Sequence, residues 1–445
     1  MRLTIGLTIA ILGVTISGSS VAATPGDVVW KVNRLGSHAV VSIAIDVEVS
    51  PDGRRVVATG SLLESENQEV FLVEAYDSAN GTVLWSKRSN PKGRGNYGTE
   101  LAFSANGKLV FVTGTLPGKG FDDVIVTRAF ATATGERRWS DVVDRPRTSG
   151  FSSIAANEEG VFVTFGVGSR SVTIAYGPRT GRRLWTVRTE RFHHILDVLV
   201  HARRVYVAGS FGVDPQRHIV KIWVASYAAG DGARRWVSTY GSPGGGIEFA
   251  EQAVLSPDGS RLFTVGMGGD RSTTLTLAFD TSDGTRVWEE ATVPQQPGDS
   301  DNGGSIAVAP DGSAVYVANR SFDLYTNPTF MTIAYDTDDG SPVWTSPARE
   351  NDEYDTGGAT DIATSPDGSE IFVTGSGRST LGNYEGVYTI AYRASVGAPS
   401  LWESSGERPS GIRGGATAIA VAPDGSAIYV AGSDNGAFHV EALEI

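Results

Sequence analysis

The spacing Gly-x-x-x-Trp occurs seven times in this chain, at Gly26/Trp30, Gly81/Trp85, Gly135/Trp139, Gly181/Trp185, Gly232/Trp236, Gly284/Trp288 and Gly340/Trp344. An eighth copy, Gly397/Trp402, is longer by one residue. A period of about fifty residues sustained from end to end means one supersecondary unit repeated in a closed or stacked array. It argues for a single large unit rather than the two or three domains that 445 residues could otherwise make.

Each unit reads alike. A short strand such as Ile43–Val49 meets a Ser-Pro-Asp-Gly turn, a β-branched strand follows (Arg55–Gly60), and a connection of variable length leads to a third strand (Val70–Tyr76). An Asx/Gly turn then precedes a fourth strand that carries the tryptophan. Four strands with turn residues at fixed offsets form the blade of a β-propeller. The first turn recurs at Ser50–Gly53, Ser256–Gly259, Ala309–Gly312, Ser365–Gly368 and Ala422–Gly425, with degenerate copies at Ser104–Gly107, Asn157–Gly160 and His201–Arg204. Pro presets the turn dihedral, Asp bonds back to the backbone, and Gly accepts a positive φ. Eight such turns predict eight blades.

The two ends of the chain predict how the ring closes. After Asp424-Gly425 come two strands, Ala427–Ala431 and Phe438–Leu443, and no tryptophan strand. Gly26-Asp27-Val28-Val29-Trp30 is a fourth strand with no first three before it. The N-terminal strand is therefore expected to complete the C-terminal blade, which also removes exposed sheet edges. The repeated tryptophans are expected to be packing residues between blades, and Trp223, on a third strand, to be core as well.

Residues 1–23 read as an export signal: Arg2, an apolar run from Leu3 to Ile16, and small residues at Val21-Ala22-Ala23 before Thr24. The domain reading is thus a signal peptide over 1–23 and an eight-bladed propeller over 24–445, with a secreted or cell-envelope location and no membrane insertion after cleavage. The chain has no cysteine, so an exported fold of this kind holds together by packing and hydrogen bonds. Removing the leader takes away one basic residue, Arg2, and no acidic one, so the formal charge of −13 becomes −14. That balance speaks against nucleic acid or an anionic membrane as partner.

Three units carry the fuller pattern Ala-x-Asp-x-x-x-Gly-x-x-x-Trp: Ala75/Asp77/Gly81/Trp85, Ala278/Asp280/Gly284/Trp288 and Ala334/Asp336/Gly340/Trp344. This resembles the repeat of quinoprotein-type propellers, the family of pyrroloquinoline quinone-dependent dehydrogenases. The Ser-Pro-Asp-Gly turn, with neighbours such as Ile371-Phe372-Val373-Thr374-Gly375, is similar to repeats of secreted bacterial propellers. The resemblance spans essentially residues 24–445 and implies the fold; it implies no activity, because the matching residues are packing residues. The alcohol dehydrogenases of that family hold the quinone under a vicinal cysteine disulfide and bind calcium through Glu, Asn and Asp. This chain has no cysteine, no counterpart of that calcium set and no haem-attachment motif, so the quinone is not expected here. Other members of the class act as scaffolds, for example in outer-membrane protein assembly; their lipid anchor needs a cysteine that is missing.

In a propeller the second-to-third and fourth-to-first connections share one face, and here they vary: Leu62–Glu69, Leu116–Asp123, Phe211–His218, Arg320–Thr329 and Gly375–Gly386. Variable loops on a rigid ring are where binding residues sit. The connections entering blades two to four carry Lys92, Arg94, Arg145, Arg147 and Arg191, and those entering blades six and seven carry Asp299, Asp301, Asp352, Glu353 and Asp355, which predicts a polarised face unless solvent simply bathes them.

Seven residues before each turn glycine, or Arg204 in its place, stand Asp46, Glu100, Ser153, Asp197, Gln252, Ser305, Asp361 and Ala418. The four carboxylates, Asp46, Glu100, Asp197 and Asp361, have two readings: a channel-mouth site for a cation such as calcium, or side chains that cap backbone amides of the next blade. Asp299–Gly304 begins like a calcium loop, but Pro310 stands where the closing Glu belongs; His193, His194 and His218 near Asp197 could take zinc. The reading that follows is a monomeric, non-catalytic propeller that binds a protein or glycan through its loop face. The alternative is an enzyme: a quinone-dependent oxidoreductase, or a hydrolase or lyase that uses the channel-mouth carboxylates.

Overall fold

The structure is a computed structural model that describes residues 24–36, 41–65, 68–89, 95–118, 123–144, 148–189, 194–214, 219–242, 248–268, 273–292, 300–322, 329–346, 354–379, 385–405 and 414–445. They form eight antiparallel four-stranded sheets, each made of four consecutive strands save one. Blade one is β2 (Ile43–Val49), β3 (Arg55–Ser65), β4 (Gln68–Asp77) and β5 (Val83–Ser89). Blades two to seven follow in chain order. Blade eight is β30 (Gly415–Val421), β31 (Ala427–Asp434), β32 (Ala437–Glu444) and, as its outer strand, β1 (Val28–Arg34). The N-terminal strand thus closes the ring, in a register that sets Trp30 opposite Ala442 and Arg34 opposite Phe438. Strands run further into the variable face than the sequence suggests: Leu62–Glu69, expected as a connection, is strand as far as Ser65 and again from Gln68, because its apolar residues pair across β3 and β4. No described helix is long and apolar enough to cross a membrane.

The Gly-x-x-x-Trp spacing joins neighbouring blades rather than its own two residues. Each indole lies on the motif glycine of the next blade, so that a Cβ at Gly81 would stand 2.6 Å from the ring of Trp30, and one at Gly135 2.6 Å from Trp85. The last contact, Trp402 on Gly26, spans the seam. These glycines also hold φ of 65° to 88°, a region costly for any residue with a Cβ. From Trp30 to Trp344 each indole N–H donates to a backbone carbonyl of the next blade at 2.7–2.9 Å, beginning with Trp30 to Ser78 and ending with Trp344 to Ala394. Trp402 Nε1, at the seam, has no such partner among the described residues. Burying each ring contributes roughly 2–3 kcal/mol.

The opposite corner of the same face uses proline in the same way. Pro51 sits against Gly107, Pro310 against Gly368 and Pro423 against Gly53, each proline meeting the turn glycine of the following blade. Within the turn, Ser50 Oγ donates to Asp52 (2.6 Å) and accepts the amide of Arg55 (3.0 Å), which ties the hairpin shut. The poorest turn, His201–Arg204, has become a two-residue hairpin with Ala202 at φ 47°, and the His201 ring takes the place of proline against Gly259. The core is therefore a set of interblade layers. The seam layer is packed like the rest, with Val47, Val56 and Leu72 of blade one against Ala431, Phe438 and Val440 of blade eight. Trp223 is half-buried and packs on the layer shared by blades three and four.

Candidate functional site: the carboxylates of the central channel

The innermost strand of a blade has one edge that faces no other strand, so its N–H groups need acceptors from elsewhere. A β-bulge next to the ring position supplies them: the register of β2 against β3 shifts between Ala44 and Asp46, and the same shift precedes Glu100, Asp197, Gln252, Asp361 and Ala418. The extra residue turns the ring side chain toward the next blade. There Asp46 accepts the amide of Leu101 (2.7 Å), Glu100 that of Ile154 (3.0 Å), Ser153 that of Val198 (3.0 Å) and Asp197 that of Ala253 (2.7 Å). Gln252 takes Ile306 (2.7 Å) and Asp361 takes Ile419 (2.9 Å). Where blade eight offers only Ala418, Asp46 uses its second oxygen for its own neighbour, Val47 (2.8 Å). Asp361 does likewise for Ile362 (2.9 Å) behind Ser305, whose hydroxyl bridges Gln252 and Asp361.

These bonds stabilise the ionised carboxylates, but burial outweighs them. Burial pushes Asp46 and Asp197 up to about 7, with the charge of Asp361 adding to both. It pushes Glu100 well above the ordinary carboxylate range, with help from Asp197 and Asp46, and raises Asp361 too. The groups feel one another, so their protons belong to the set rather than to single residues.

A fifth member was missed by reading the chain along its length. Glu48 lies two residues beyond Asp46, where the other blades place Ala102, Ala155, Leu199, Val254, Ala307, Ala363 and Ala420. Glu48 touches water, yet protein surrounds it inside the ring; burial, then Asp46 and Asp361, push it up to about 8. Stacking the eight units column by column exposes it as the one charge in an apolar column.

Among the described residues no three His, Asp or Glu side chains are arranged to hold a metal. Lys92, Arg94, Arg145, Arg147, Arg191, Asp299, Asp352, Glu353, His193 and His218 lie outside the described residues, as do the side chains of His194, Asp301 and Asp355. The polarised face, the calcium-like loop and the histidine group therefore fall there as well.

An all-β ring of eight four-stranded sheets, stapled by tryptophan on glycine and by inner-strand carboxylates on amides, defines a β-propeller of the quinoprotein-like repeat class. Within that class, the chain belongs to the family of the outer membrane protein assembly factor BamB, whose model matches residues 16–173 and 168–442. Among solved structures, BamB from Moraxella catarrhalis is 13% identical, with 86% of this chain and 95% of that one covered at a TM-score of 0.51. The quinohemoprotein alcohol dehydrogenase ADHIIG from Pseudomonas putida HK5 is 14% identical over 92% and 76% of the two chains (TM-score 0.53). The WD40 domain of Sif2 is 14% identical over 91% and 97% (TM-score 0.58). At such identities the likeness is one of fold. No curated protein sequence matches the chain.

Proposed function

We propose that this protein is an exported propeller scaffold that binds a protein or glycan partner through the face of its second-to-third and fourth-to-first connections, without catalysis. The observation that carries the reading is where the repeated residues go. Trp30 on Gly81, Pro51 on Gly107 and Asp46 on the Leu101 amide are all blade-to-blade contacts, and the repeated residues are occupied in assembling the ring. The kinship with a family described as an assembly factor supports the same reading. Export is tested by N-terminal sequencing of protein recovered from the culture supernatant, with Thr24 as the expected first residue. Binding is tested by pull-down from native supernatant with the whole protein, followed by addition of quinone and calcium to the purified protein. A saturable absorbance change together with dye reduction rejects the scaffold.

A second reading rests on Asp46 and Asp197, whose carboxyls titrate near neutrality, where a general acid or base works best. It makes the channel mouth the seat of a hydrolase or lyase. Turnover of glycan or ester substrates that vanishes in Asp46→Asn and Asp197→Asn would favour it. The cation reading of Asp46, Glu100, Asp197 and Asp361 uses the same groups and is decided by calcium titration.

A further inference from the structure

One column of the third strands singles out a different place. The residue before the buried alanine of that strand is Ile174, Val224, Leu277, Ile333 and Ile390 in blades three to seven. Three blades put a buried charge there instead: Glu74, Arg128 and Glu441. Two of these have an ionisable group of the opposite kind within reach. Glu74 faces Arg34 Nε at 2.9 Å and the Tyr76 hydroxyl at 2.9 Å, and Glu441 lies 3.3 Å from His439.

Arg128 is not answered. Its side chain is 91% buried, its guanidinium carbon lies 5.1 Å from the centre of the Phe71 ring, and Nη2 donates to Ser89 Oγ at 2.9 Å. Nε is buried without an acceptor, and no carboxylate pairs with Arg128 among the described residues. Burying an uncompensated guanidinium is costly, and proteins tolerate it where a counter-ion arrives.

The group opens into a pocket of about 280 Å³ at the junction of blades one and two, on the outer strands and away from the channel. Lys87, Arg88, Ser89, Glu136 and Arg137 share its walls with Arg128. Arg88 is paired with Glu64 at 3.0 Å and Glu136 with Arg138 at 3.3 Å, which leaves Lys87, Arg128 and Arg137 without an ion-pair partner among the described residues. Gly135 makes room for the mouth: a Cβ there would stand 2.7 Å from Lys87 Cε. Burial, and next the charge of Arg137, lower Arg128 to about 10.

We infer that this pocket binds a small divalent oxyanion, a phosphate or sulfate group either free or at the end of a larger ligand, with Arg128 at the floor and Lys87 and Arg137 at the mouth. A guanidinium with a spare N–H and a flexible ammonium match several oxygens of one such group. The volume suits a group of that size and falls below that of an ordinary drug-sized site. Three positive charges favour a double negative charge over a single one. The inference stands independently of the loop-face partner.

The test is calorimetry and thermal melting of the full chain with inorganic phosphate, sulfate and glucose 6-phosphate against chloride at matched ionic strength. Phosphate and sulfate are expected to bind saturably and raise Tm where chloride does not. Arg128→Leu places in blade two the residue that Leu277 is in blade five, so it should fold, and it should weaken phosphate binding at least tenfold. Arg137→Gln should weaken it severalfold. Tighter binding of glucose 6-phosphate than of free phosphate assigns the pocket to an esterified group, and the reverse assigns it to the free ion. Equal effects of phosphate, sulfate and chloride overturn the proposal, as does unchanged binding in Arg128→Leu. Should Arg128→Leu fail to fold, the Lys87→Gln/Arg137→Gln pair decides in its place.

Discussion

The indole of Trp402 rests on Gly26, so residues 376 positions apart in the chain meet as neighbours across the seam of the ring, where a Cβ on the glycine would come within 2.8 Å of the ring. Every other blade junction repeats that contact. Deleting residues 24–34 removes both Gly26 and the outer strand of blade eight and exposes the edge of β32. The expected result is a marked fall in Tm and in cooperativity, measured by calorimetry; an unchanged transition would remove the closed ring.

A single glycine of the series should suffice to show its cost. Gly284 has φ 80° and a Cβ there would stand 2.5 Å from Trp236. Gly284→Ala combines left-handed strain with a clash against a packed ring, and is expected to destabilise by about 2–4 kcal/mol in urea unfolding. Gly168, also at positive φ but with open space around it, should lose only about 1 kcal/mol as Gly168→Ala.

At the seam, Arg34 on the N-terminal strand neutralises Glu74, which is 1% exposed. Arg34→Met strands that carboxylate and should cost about 3 kcal/mol, the lower end for a broken buried pair because Arg34 keeps some solvent contact. Adding Glu74→Ile, after the residue that three blades carry there, should recover most of the loss in the same denaturation assay.

The channel carboxylates fix the sign of a pH dependence. Asp46 and Asp197 keep their protons to about 7 and Glu48 to about 8 in the fold, against ordinary values of 3.8 for Asp and 4.5 for Glu. Between those limits the folded state binds more protons than the unfolded, so stability falls as pH rises from about 4 to about 8. The turn aspartates act oppositely: Asp258 and Asp367 are lowered to about 2 by serine hydroxyls and backbone amides, so their contribution is lost as pH falls below about 4. Maximum stability is expected in mildly acidic solution. Glu48→Ala should gain more over the natural protein at pH 9 than at pH 5, by on the order of 1 kcal/mol, kept small because Glu48 touches water.

Replacing Asp46, Glu100, Asp197 and Asp361 by their amides removes the charge and keeps one oxygen for the backbone amide of the next blade, at the loss of the second oxygen with which Asp46 and Asp361 hold Val47 and Ile362. The variant should fold and melt higher than the natural protein at pH 8. If the four hold a cation, calcium raises Tm of the natural protein saturably and leaves the amide variant unmoved. Identical responses of the two proteins dispose of the cation.

Blade number, strand order and the closing strand were legible because they are written locally. A turn needs its Pro, Asp and Gly within four residues, and a period needs only to be counted. The role of the spacing was harder to see, since Gly81 and Trp85 look like one local motif, whereas Gly81 serves Trp30. The ring position was found by counting back from the turns, but its chemistry depends on the bulge that aims Asp46 at Leu101. Glu48 and Arg128 escaped notice because each is an ordinary charged residue in its own segment. Glu48 is exceptional only against the apolar column around the ring, and Arg128 only because no carboxylate meets it among the described residues.

What the sequence settles alone is the repeated unit and how many copies there are, since backbone propensity and turn geometry act over a few residues. What the tertiary structure decides is which charges meet a partner and which do not. That depends on the register between blades some fifty residues apart, where packing sets the neighbours and burial sets the cost of an unanswered charge.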